Sequence, residues 1–553
     1  MEFTQRNFSA GINQLDYDTE IADNEYRLLI NGRQRFGEVV PIKQSVEVTL
    51  PRDGNVQGGI CTGNTTIIFI DGRAYYRIGL TGGWIRIADF QMDETARRLW
   101  AVAVPKSSKD YVRKLNGSAN NPIIINANVT ISGNPAGIVV QDGINQPWLI
   151  QFNAVAQAFV ARELHTYSEW SNTSLTADDR EYVPIGKQMM FLNEKLYIVA
   201  PDGLSIYQSV TGRPLDFMVN VDSNGNKLSD ASLGGAASVS FAFDSDEITC
   251  IQTTNITDTF LYATRFNVRL ISLDYSNTIF GEPRYSQAQQ ITAGILNDVS
   301  VVDVLGDTTF IDGDGIKSFN GVMNYRVEGR NSIFSLGAAK LLNGFVQSAT
   351  QAATASFDNY AIYYCKTMYG KAMLIYDMLR QKWVSLDISN VVDVKQFLVF
   401  DNGTETQLLA VTSNGLFELY SSDSYEMAQL HLKVLSPENV KKEHKGYTVQ
   451  PIFRGATDAG ILQVQEYADG QFSARLTNTI EDSTQAMIWP LIFPIGFSSR
   501  PNARNNVLVF DKGKAGKKLA YVILWNTDAG LMSVKITTSE VEPQSALRQG
   551  ASS

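Results

Sequence analysis

Few side chains in this sequence stand at spacings that support catalysis or metal binding. The three histidines, His165, His431 and His444, are too far apart along the chain to predict a zinc site. A Ser-His-Asp triad would need only one of them, but no Gly-x-Ser-x-Gly elbow accompanies them. The basic stretch KGKAGKK (512–518) lacks the residue order of a phosphate-binding loop. We therefore predict no catalytic, cofactor-binding or metal-binding residue, and no enzyme activity.

One polar segment imitates a calcium-binding loop. Its oxygen-bearing residues are Asp222, Asn224, Asn226 and Asp230. The sixth position of such a loop needs glycine for a sharp turn, and the twelfth needs a bidentate glutamate. Here those positions hold Lys227 and Leu233. We interpret the segment as a polar turn.

The cysteines and the N-terminus indicate the compartment. Cys61, Cys250 and Cys365 are odd in number and far apart, so they predict core packing and no disulfide framework. The opening residues lack a basic flank followed by an apolar stretch, which predicts no secretion signal. No apolar run approaches the roughly 18 residues of a membrane span. We expect a protein that is made and folds in a reducing cytoplasm.

Length and charge limit the possible functions. A chain of 553 residues exceeds one ordinary core, so two or more domains are expected. The 47 basic and 57 acidic residues give a formal net charge of −10. The resulting isoelectric point of about 5.1 argues against a general binder of nucleic acid or anionic membranes. It is compatible with a surface past which DNA slides without sticking.

A turn phrase recurs along the chain: an apolar strand, Asp-Gly or Asn-Gly, then an aromatic-bearing strand. Asp-Gly and Asn-Gly supply the positive φ of tight hairpin turns. The segment YDMLRQKW (376–383) likewise predicts strand, turn and strand. Repeated hairpins without long helices predict a mainly β fold, a β-propeller-like platform with an N-terminal arm and an additional C-terminal β region. The four phrases are Thr66–Ile78, Leu196–Tyr207, Thr309–Phe319 and Leu408–Tyr420.

The predicted organisation has five parts. Residues 1–48 form an arm, in which Asp23 caps a short helix that ends at Gly32. Before this helix, the acidic stretch DYDTEIADNE is interpreted as a solvated loop. The remaining parts are a propeller-like domain at 49–435 with insertions at about 92–120, 163–181 and 333–356, a linker at 436–447, a C-terminal β region at 448–545 and a frayed tail at 546–553.

Four phrases occur in order along the chain, the first in the arm and the fourth at Ile248–Leu273. The residues of the first three are Asn7, Phe8, Gly11, Tyr26, Asn31 and Gly37 in the arm, then Asp142, Gly143 and Pro147, then Ser209, Pro214 and Phe217. In this order the phrases resemble those of the tail nozzle (tail stabilisation or tail hub) proteins of short-tailed bacteriophages, and among these the proteins of crAss-like phages. The sequence departs from this family at Pro41–Ser45, where an Arg-rich turn is usual.

This resemblance implies a structural virion protein. Such proteins form a ring, usually of six copies, below the portal and its adaptor, which retains the genome and lets it pass on infection. The implied partners are further copies of the chain, other tail, portal-adaptor and fibre proteins, and double-stranded DNA in transient passage without specific binding. The implied location is the virion tail. We expect the arm to dock on a neighbouring ring through Asn7, Phe8, Gly11, Tyr26 and Asn31, with Phe8 as the interface anchor.

Two alternatives remain open. A virion adaptor or receptor-binding propeller, holding fibres or cargo, predicts exposed aromatic patches on one face. A carbohydrate-binding or glycoside-hydrolase propeller predicts an acid cluster at a central funnel, with carboxyl pKa values above their usual range.

Overall fold

The chain is mainly β, as predicted, and strands far outnumber helical turns in the described residues. Small antiparallel sheets follow one another along most of the sequence. The computed structural model describes residues 2–14, 17–35, 37–105, 113–115, 123–125, 137–164, 183–209, 211–212, 214–215, 217, 237–239, 246–274, 284–325, 334–342, 352–388, 390–436, 443–454, 458–480, 504–505, 508–509 and 514–541.

The first four sheets each have four antiparallel strands in sequence order. A separate two-stranded hairpin, β13 (Arg113–Leu115) and β14 (Ile123–Ile125), is inserted within sheet 2. The strands are β8 (Val56–Thr62), β9 (Thr65–Ile70), β10 (Arg73–Ile78) and β11 (Ile85–Arg86) in sheet 1; β12 (Trp100–Val104), β15 (Gly137–Gln141), β16 (Trp148–Asn153) and β17 (Ala158–Glu163) in sheet 2; β18 (Met189–Leu192), β19 (Lys195–Val199), β20 (Ile206–Gln208) and β21 (Ala237–Val239) in sheet 3; and β22 (Cys250–Thr253), β23 (Thr259–Ala263), β24 (Val268–Asp274) and β25 (Arg284–Ile291) in sheet 4.

Three further sheets complete this series. Sheet 5 is followed by the helix α1 (Phe319–Tyr325), and a 3-10 turn at Leu336–Ala338 precedes sheet 6. The fourth strand of sheet 7 comes from the N-terminal segment, β7 (Val46–Val48). The other strands are β26 (Val301–Val304), β27 (Asp307–Asp312) and β28 (Gly315–Ser318) in sheet 5; β29 (Ala353–Phe357), β30 (Tyr360–Thr367), β31 (Gly370–Asp377) and β32 (Lys382–Asp387) in sheet 6; and β33 (Val394–Asp401), β34 (Thr406–Thr412) and β35 (Leu416–Glu418) in sheet 7.

Each of the seven sheets buries both faces, because it packs between the sheets before and after it. This explains why strands such as β9 (TTIIFI) are buried almost continuously and do not alternate between buried and exposed residues. Sheet 7 packs in turn on sheet 1. Residue pairs that share a core cluster are Phe69 and Ile150 (sheets 1 and 2), Val139 and Ile198 (2 and 3), Tyr197 and Phe260 (3 and 4), Leu261 and Phe310 (4 and 5), Ile311 and Tyr363 (5 and 6), Ile362 and Leu408 (6 and 7), and Leu409 and Ile68 (7 and 1).

The recurrent hairpins are confirmed. Between β9 and β10, Asp71 and Gly72 both have positive φ, 45° and 70°, as a two-residue hairpin turn requires. A Cβ atom on Gly72 would lie 2.3 Å from the carbonyl oxygen of Met92, so this position also needs glycine for space. The segment YDMLRQKW is strand, turn and strand, joining β31 to β32, with Trp383 buried.

The N-terminal segment differs from the predicted arm. Residues 25–30 form two short strands and no helix, so the helix prediction is wrong. The strands of this segment pair with distant parts of the chain. β1 and β6 pair with the last long strand, and β4 pairs with β32 and β36. β7 completes sheet 7. Its strands before β7 are β1 (Glu2–Arg6), β2 (Gly11–Ile12), β3 (Glu25–Tyr26), β4 (Leu28–Ile30), β5 (Gly32–Arg35) and β6 (Glu38–Pro41).

The C-terminal β region consists of two sheets packed face to face. One sheet continues sheet 6 through β4 to β36, β42, β38 and β39, and the other joins β37 and β43 to β5, β6 and β1. Trp525 and Phe453 meet between them, with ring centroids 5.8 Å apart. We call this unit the sandwich. Its strands are β36 (Ala428–His431), β37 (Glu443–Arg454), β38 (Gly460–Ala468), β39 (Gln471–Ile480), β40 (Arg504–Asn505), β41 (Leu508–Val509), β42 (Leu519–Trp525) and β43 (Gly530–Val541).

Several predicted boundaries need correction. The linker predicted at 436–447 already contains the start of β37 at Glu443. The insertion predicted at 92–120 includes β12, which is a strand of sheet 2. Within 333–356, the described residues hold a 3-10 turn and most of β29. Most of the insertion at 163–181, the calcium-like segment and the tail at 546–553 lie outside the described residues.

In the part of the chain that the structure describes, no helix has the length and apolar character needed to cross a membrane.

Candidate functional site

The arm residues singled out from the sequence lie against their own chain, mainly along β32 in sheet 6. The side chain of Phe8 is fully buried and contacts Tyr26 edge to face, with ring centroids 6.4 Å apart. The hydroxyl of Tyr26 donates a hydrogen bond of 2.8 Å to the carbonyl oxygen of Val384, and burial raises the pKa of this hydroxyl. Phe8 is therefore a core residue of its own subunit, and its role as an anchor on a neighbouring ring stays a prediction.

Gly11 and Asn31 fix the backbone of the same segment. Gly11 has φ +79°, and a Cβ atom there would lie 2.5 Å from the carbonyl oxygen of Trp383. Asn31, also with positive φ, accepts a hydrogen bond of 2.8 Å from the backbone N–H of Ile388. These two residues bracket β32. We call the contact of residues 7–35 with β32 the N-terminal dock.

Asn7 and Gly37 belong to a neighbouring turn. Asn7 has a φ of 53°, and its side-chain oxygen would lie 2.6 Å from a Cβ atom on Gly37, whose φ is +85°. The backbone N–H of Asn7 donates to the carbonyl oxygen of Met532 in β43. The five arm residues thus join the N-terminal segment to both sheet 6 and the sandwich. They are Asn7, Phe8, Gly11, Tyr26 and Asn31.

A buried ion pair strengthens the dock. Arg33 in β5 donates to both carboxylate oxygens of Asp387 in β32 and to the hydroxyl of Ser385 at 2.8 Å. The hydroxyl of Tyr420 donates to Asp387 at 2.7 Å. The guanidinium also lies over the rings of Tyr360 and Tyr420, 5.3 and 5.0 Å from their centroids.

Burial and the attraction between Arg33 and Asp387 together set the electrostatics of this cluster. Burial lowers the pKa of Arg33, but the attraction of Asp387 outweighs it, so the pKa of Arg33 is raised. Burial and the Asp387 carboxylate hold the pKa of Tyr420 well above its usual value. Arg33 is therefore charged and Tyr420 is a neutral donor throughout the physiological range.

The acidic stretch before β3 is engaged in ion pairs. Asp18 pairs with Arg27 at 2.8 Å, and Asp23 pairs with Lys433 of the sandwich at 2.6 Å. The stretch predicted to be a solvated loop is therefore partly held against the rest of the chain by these ion pairs.

The other residues of the resemblance lie elsewhere. Asp142 forms the turn between β15 and β16, where its carboxylate accepts from the backbone N–H groups of Ile144 and Asn145. The hydroxyl of Ser209 accepts from the N–H of Leu196, and Phe217 is buried between sheets 2 and 3. These residues shape turns and cores of the sheet series, separate from the N-terminal dock.

A concave basin of about 730 Å³ lies where several sheets meet. The basin is lined by the first residues of the first strands of sheets 1, 2 and 7. It is also lined by residues that lie just before the first strands of sheets 3, 4 and 5. The first strands of consecutive sheets also contact one another on either side of it, including β33 of sheet 7 against β8 of sheet 1. Its lining includes Gln57, Arg97, Arg98, Trp100, Asp142, Gln188, Thr249, Asn297, Asp298, Asp393, Lys395 and Gln396.

The three carboxylates of the basin each have a structural partner. Asp298 forms an ion pair with Arg98, Asp393 forms one with Lys371, and Asp142 caps its turn. A glycoside hydrolase needs one carboxyl as an acid and another as a nucleophile or base. This arrangement does not favour the carbohydrate-cleaving alternative.

Two cations of the basin have no carboxylate partner among the described residues. The ammonium of Lys395 donates to the side-chain oxygen of Asn55 and the carbonyl oxygen of Val56, both at 2.9 Å. Burial and the nearby Arg97 lower the pKa of Lys395. Neither Arg97 nor Lys395 could be predicted as a site residue, because nothing in the local sequences DETARRLW and DVKQ reveals that these distant segments meet at one basin.

No group of three or more His, Cys, Asp or Glu side chains in the described residues is arranged to hold a metal ion. No protein-family model matches the chain, and no curated protein matches it significantly.

Proposed function

We propose that this chain is a structural virion protein that forms a ring in a podovirus-type phage tail, as a tail nozzle or hub. In this proposal the ring continues the DNA channel below the portal, retains the genome and lets it pass on infection. The chain acts through assembly and shape, without an enzymatic reaction.

We further propose that the seven sheets are the blades of a β-propeller. The observation that carries both proposals is the cyclic order of packing, in which sheet 7 packs on sheet 1 and an N-terminal strand completes sheet 7. Radial repetition of small sheets is how propellers avoid long free edges. Such a unit supplies the rigid platform on which a ring can be built.

The N-terminal dock supports the same function in a different way. Phe8, Gly11, Tyr26 and Asn31 carry the resemblance to tail nozzle proteins, and they join the sheet series to the sandwich. A subunit of a channel that holds packaged DNA benefits from such an internal tie, because its two units cannot then separate under load. We expect contacts with neighbouring rings to use exposed surfaces, since the side chain of Phe8 is buried.

Imaging with mass determination tests the proposal directly. Negative-stain averages of the purified full chain should show closed rings with a central hole, and the mass should correspond to six or twelve subunits. Ring subunits meet through heterologous contacts that close on themselves. A monomer at every concentration, or an open filament, would contradict a self-assembling ring.

A second candidate, a virion adaptor or receptor-binding protein, is favoured by one observation. Turns between the second and third strands carry exposed apolar side chains in sheets 2, 3, 4 and 6, and all these turns lie at the basin end of their sheets. Clustered exposed apolar residues on one side of a protein mark interaction surfaces. These residues are Ile144, Leu204, Phe266, Met368 and Tyr369.

The two candidates differ in what these turns do. Combined substitution of Phe266, Met368 and Tyr369 by serine should leave ring formation intact if the turns bind a separate partner. The matched control is Leu379→Ser, since Leu379 is an exposed apolar residue in the β31–β32 turn at the opposite end of sheet 6. Loss of the ring in the triple variant alone would assign these turns to self-assembly.

A further inference from the structure

We infer that the basin is a binding site for an anionic group, phosphate or carboxylate, held between Lys395 and Arg97. This inference goes beyond the proposed ring and does not depend on it, because both residues belong to one chain.

The first observation is the environment of Lys395. An ammonium group has three protons to donate. Two are taken by uncharged acceptors, the side-chain oxygen of Asn55 and the carbonyl oxygen of Val56. The side chain is half-buried at the rim of the basin, so its charge lacks both full hydration and a counter-ion. A charge in such surroundings is stabilised by an anion at hydrogen-bonding distance.

The second observation is the position of Arg97. Its side chain lines the same basin and forms no hydrogen bond or ion pair with any residue that the structure describes. Arg97 is close enough to Lys395 to lower its pKa by repulsion, after the larger effect of burial. Repulsion between two cations on one concave surface disfavours the folded state. An anion bound between them relieves this repulsion.

The third observation excludes an internal counter-ion from the basin itself. Asp298 is engaged by Arg98 and Asp393 by Lys371, while Asp142 holds backbone N–H groups. The guanidinium of Arg98 also lies 5.8 Å from the ring centroid of Trp100, so an aromatic wall stands beside the cations. A volume of about 730 Å³ falls within the range of small-molecule sites.

Titration of the purified full chain with two probes tests the inference. Pyrophosphate represents phosphate and tricarballylate represents clustered carboxylates, and binding is followed by calorimetry and by the shift in melting temperature. At least one probe should bind with an affinity that falls as salt increases. Preference between the probes then identifies which of the two anion types the site takes.

Two variants decide the location of binding. Arg97→Gln and Lys395→Gln should each weaken binding about tenfold or more, as expected for loss of a charge-assisted hydrogen bond. The control is Lys366→Gln, since Lys366 is an exposed lysine in β30 that does not line the basin. If Lys395→Gln fails to fold, the exposed Arg97 alone decides the outcome. The inference is overturned if neither probe binds the wild-type chain, or if Arg97→Gln binds as tightly as wild type.

Discussion

The guanidinium of Arg33 and the carboxylate of Asp387 form a two-point ion pair inside the protein, with one N–O distance of 2.7 Å. Arg33 belongs to the N-terminal segment and Asp387 ends the last strand of sheet 6, so residues 354 positions apart are joined. The side chain of Asp387 is fully buried. The pair therefore reports directly on whether the N-terminal segment is docked.

Removing one partner of this pair should destabilise the protein strongly. Arg33→Met leaves a buried carboxylate without its cation, which typically costs about 3–5 kcal/mol. Urea unfolding followed by tryptophan fluorescence measures the loss. The double variant Arg33→Met with Asp387→Leu should cost less than the sum of the single variants.

An exposed ion pair serves as the control. Lys535 and Glu2 lie 2.8 Å apart with side chains 40% and 59% exposed. Lys535→Ala should cost less than about 1 kcal/mol. Equal losses for Arg33→Met and Lys535→Ala would mean that the buried pair does not hold the segment.

Gly11 should not tolerate a side chain. Its φ of +79° disfavours any L-residue, and an added Cβ atom would meet the carbonyl oxygen of Trp383. Gly11→Ala should lower the free energy of unfolding by about 2–4 kcal/mol. The matched control is Gly63→Ala, where φ is +52° and nothing lies within 4 Å, so only the backbone term of about 1–2 kcal/mol remains. Comparable losses at both positions would show that the Trp383 contact is not tight.

Phe8 should matter to the fold of the subunit and not to contacts between subunits. Phe8→Ala removes a fully buried ring and should cost about 3–5 kcal/mol in chemical unfolding. The remaining folded protein should assemble as wild type does. Tyr17→Ala, at a side chain 77% exposed, should change stability by less than about 0.5 kcal/mol. A stable Phe8→Ala monomer that has lost assembly would restore the interface role expected from the sequence.

His431 should make stability depend on pH. Burial, followed by the nearby Arg27, lowers the pKa of His431 to about 4 from an ordinary value of 6.5. Between these values the unfolded chain binds a proton that the folded chain does not, so stability falls as pH drops and is unaffected above the upper value. The expected loss between pH 7 and pH 5 is about 2 kcal/mol.

The variant His431→Gln isolates this effect. It should remove the histidine contribution, so the unfolding free energy of the variant should fall less steeply than that of wild type over the same interval. Carboxyl groups titrate equally in both proteins and cancel in the comparison. Identical slopes would mean that His431 is accessible to protons in the folded state.

The hairpins could be predicted from the sequence because their determinants are local. Asp71 and Gly72 supply the two positive φ values of their turn, and Trp383 follows a turn that the segment YDMLRQKW already contains. The apolar strands on either side of these turns could also be predicted without knowledge of residues far away in the sequence. The mainly β class followed from repetition of this local pattern.

The N-terminal segment could not be read in the same way. Its strands are two to five residues long, too short for a period of two to stand out, and Glu25–Tyr26 fits a helical turn equally well. Their partners lie hundreds of residues away, as in the pairing of Ile30 with Leu386. Tertiary pairing thus overrides local preference at Asp23, which binds Lys433 and caps no helix.

The basin was hidden for a related reason. Arg97 and Lys395 are nearly 300 positions apart, one before the first strand of sheet 2 and the other in the first strand of sheet 7, and neither belongs to a recognisable motif. Their meeting depends on the cyclic order of the sheets, which hairpin phrases alone do not specify.

The pairing of β1 with β43 has a consequence for how the protein is made. Glu2 lies opposite Thr537, so β1 leaves the ribosome long before the strand with which it pairs. At about 5–20 residues per second, the ribosome needs roughly half a minute to two minutes to supply the partner. During that interval β1 has no strand to pair with, whereas Phe8 and Gly11 can dock on Tyr26 and β32 as soon as sheet 6 is made. Translation speed and chaperone occupancy of the nascent chain should therefore control the yield of folded subunits more than the stability of the finished fold does.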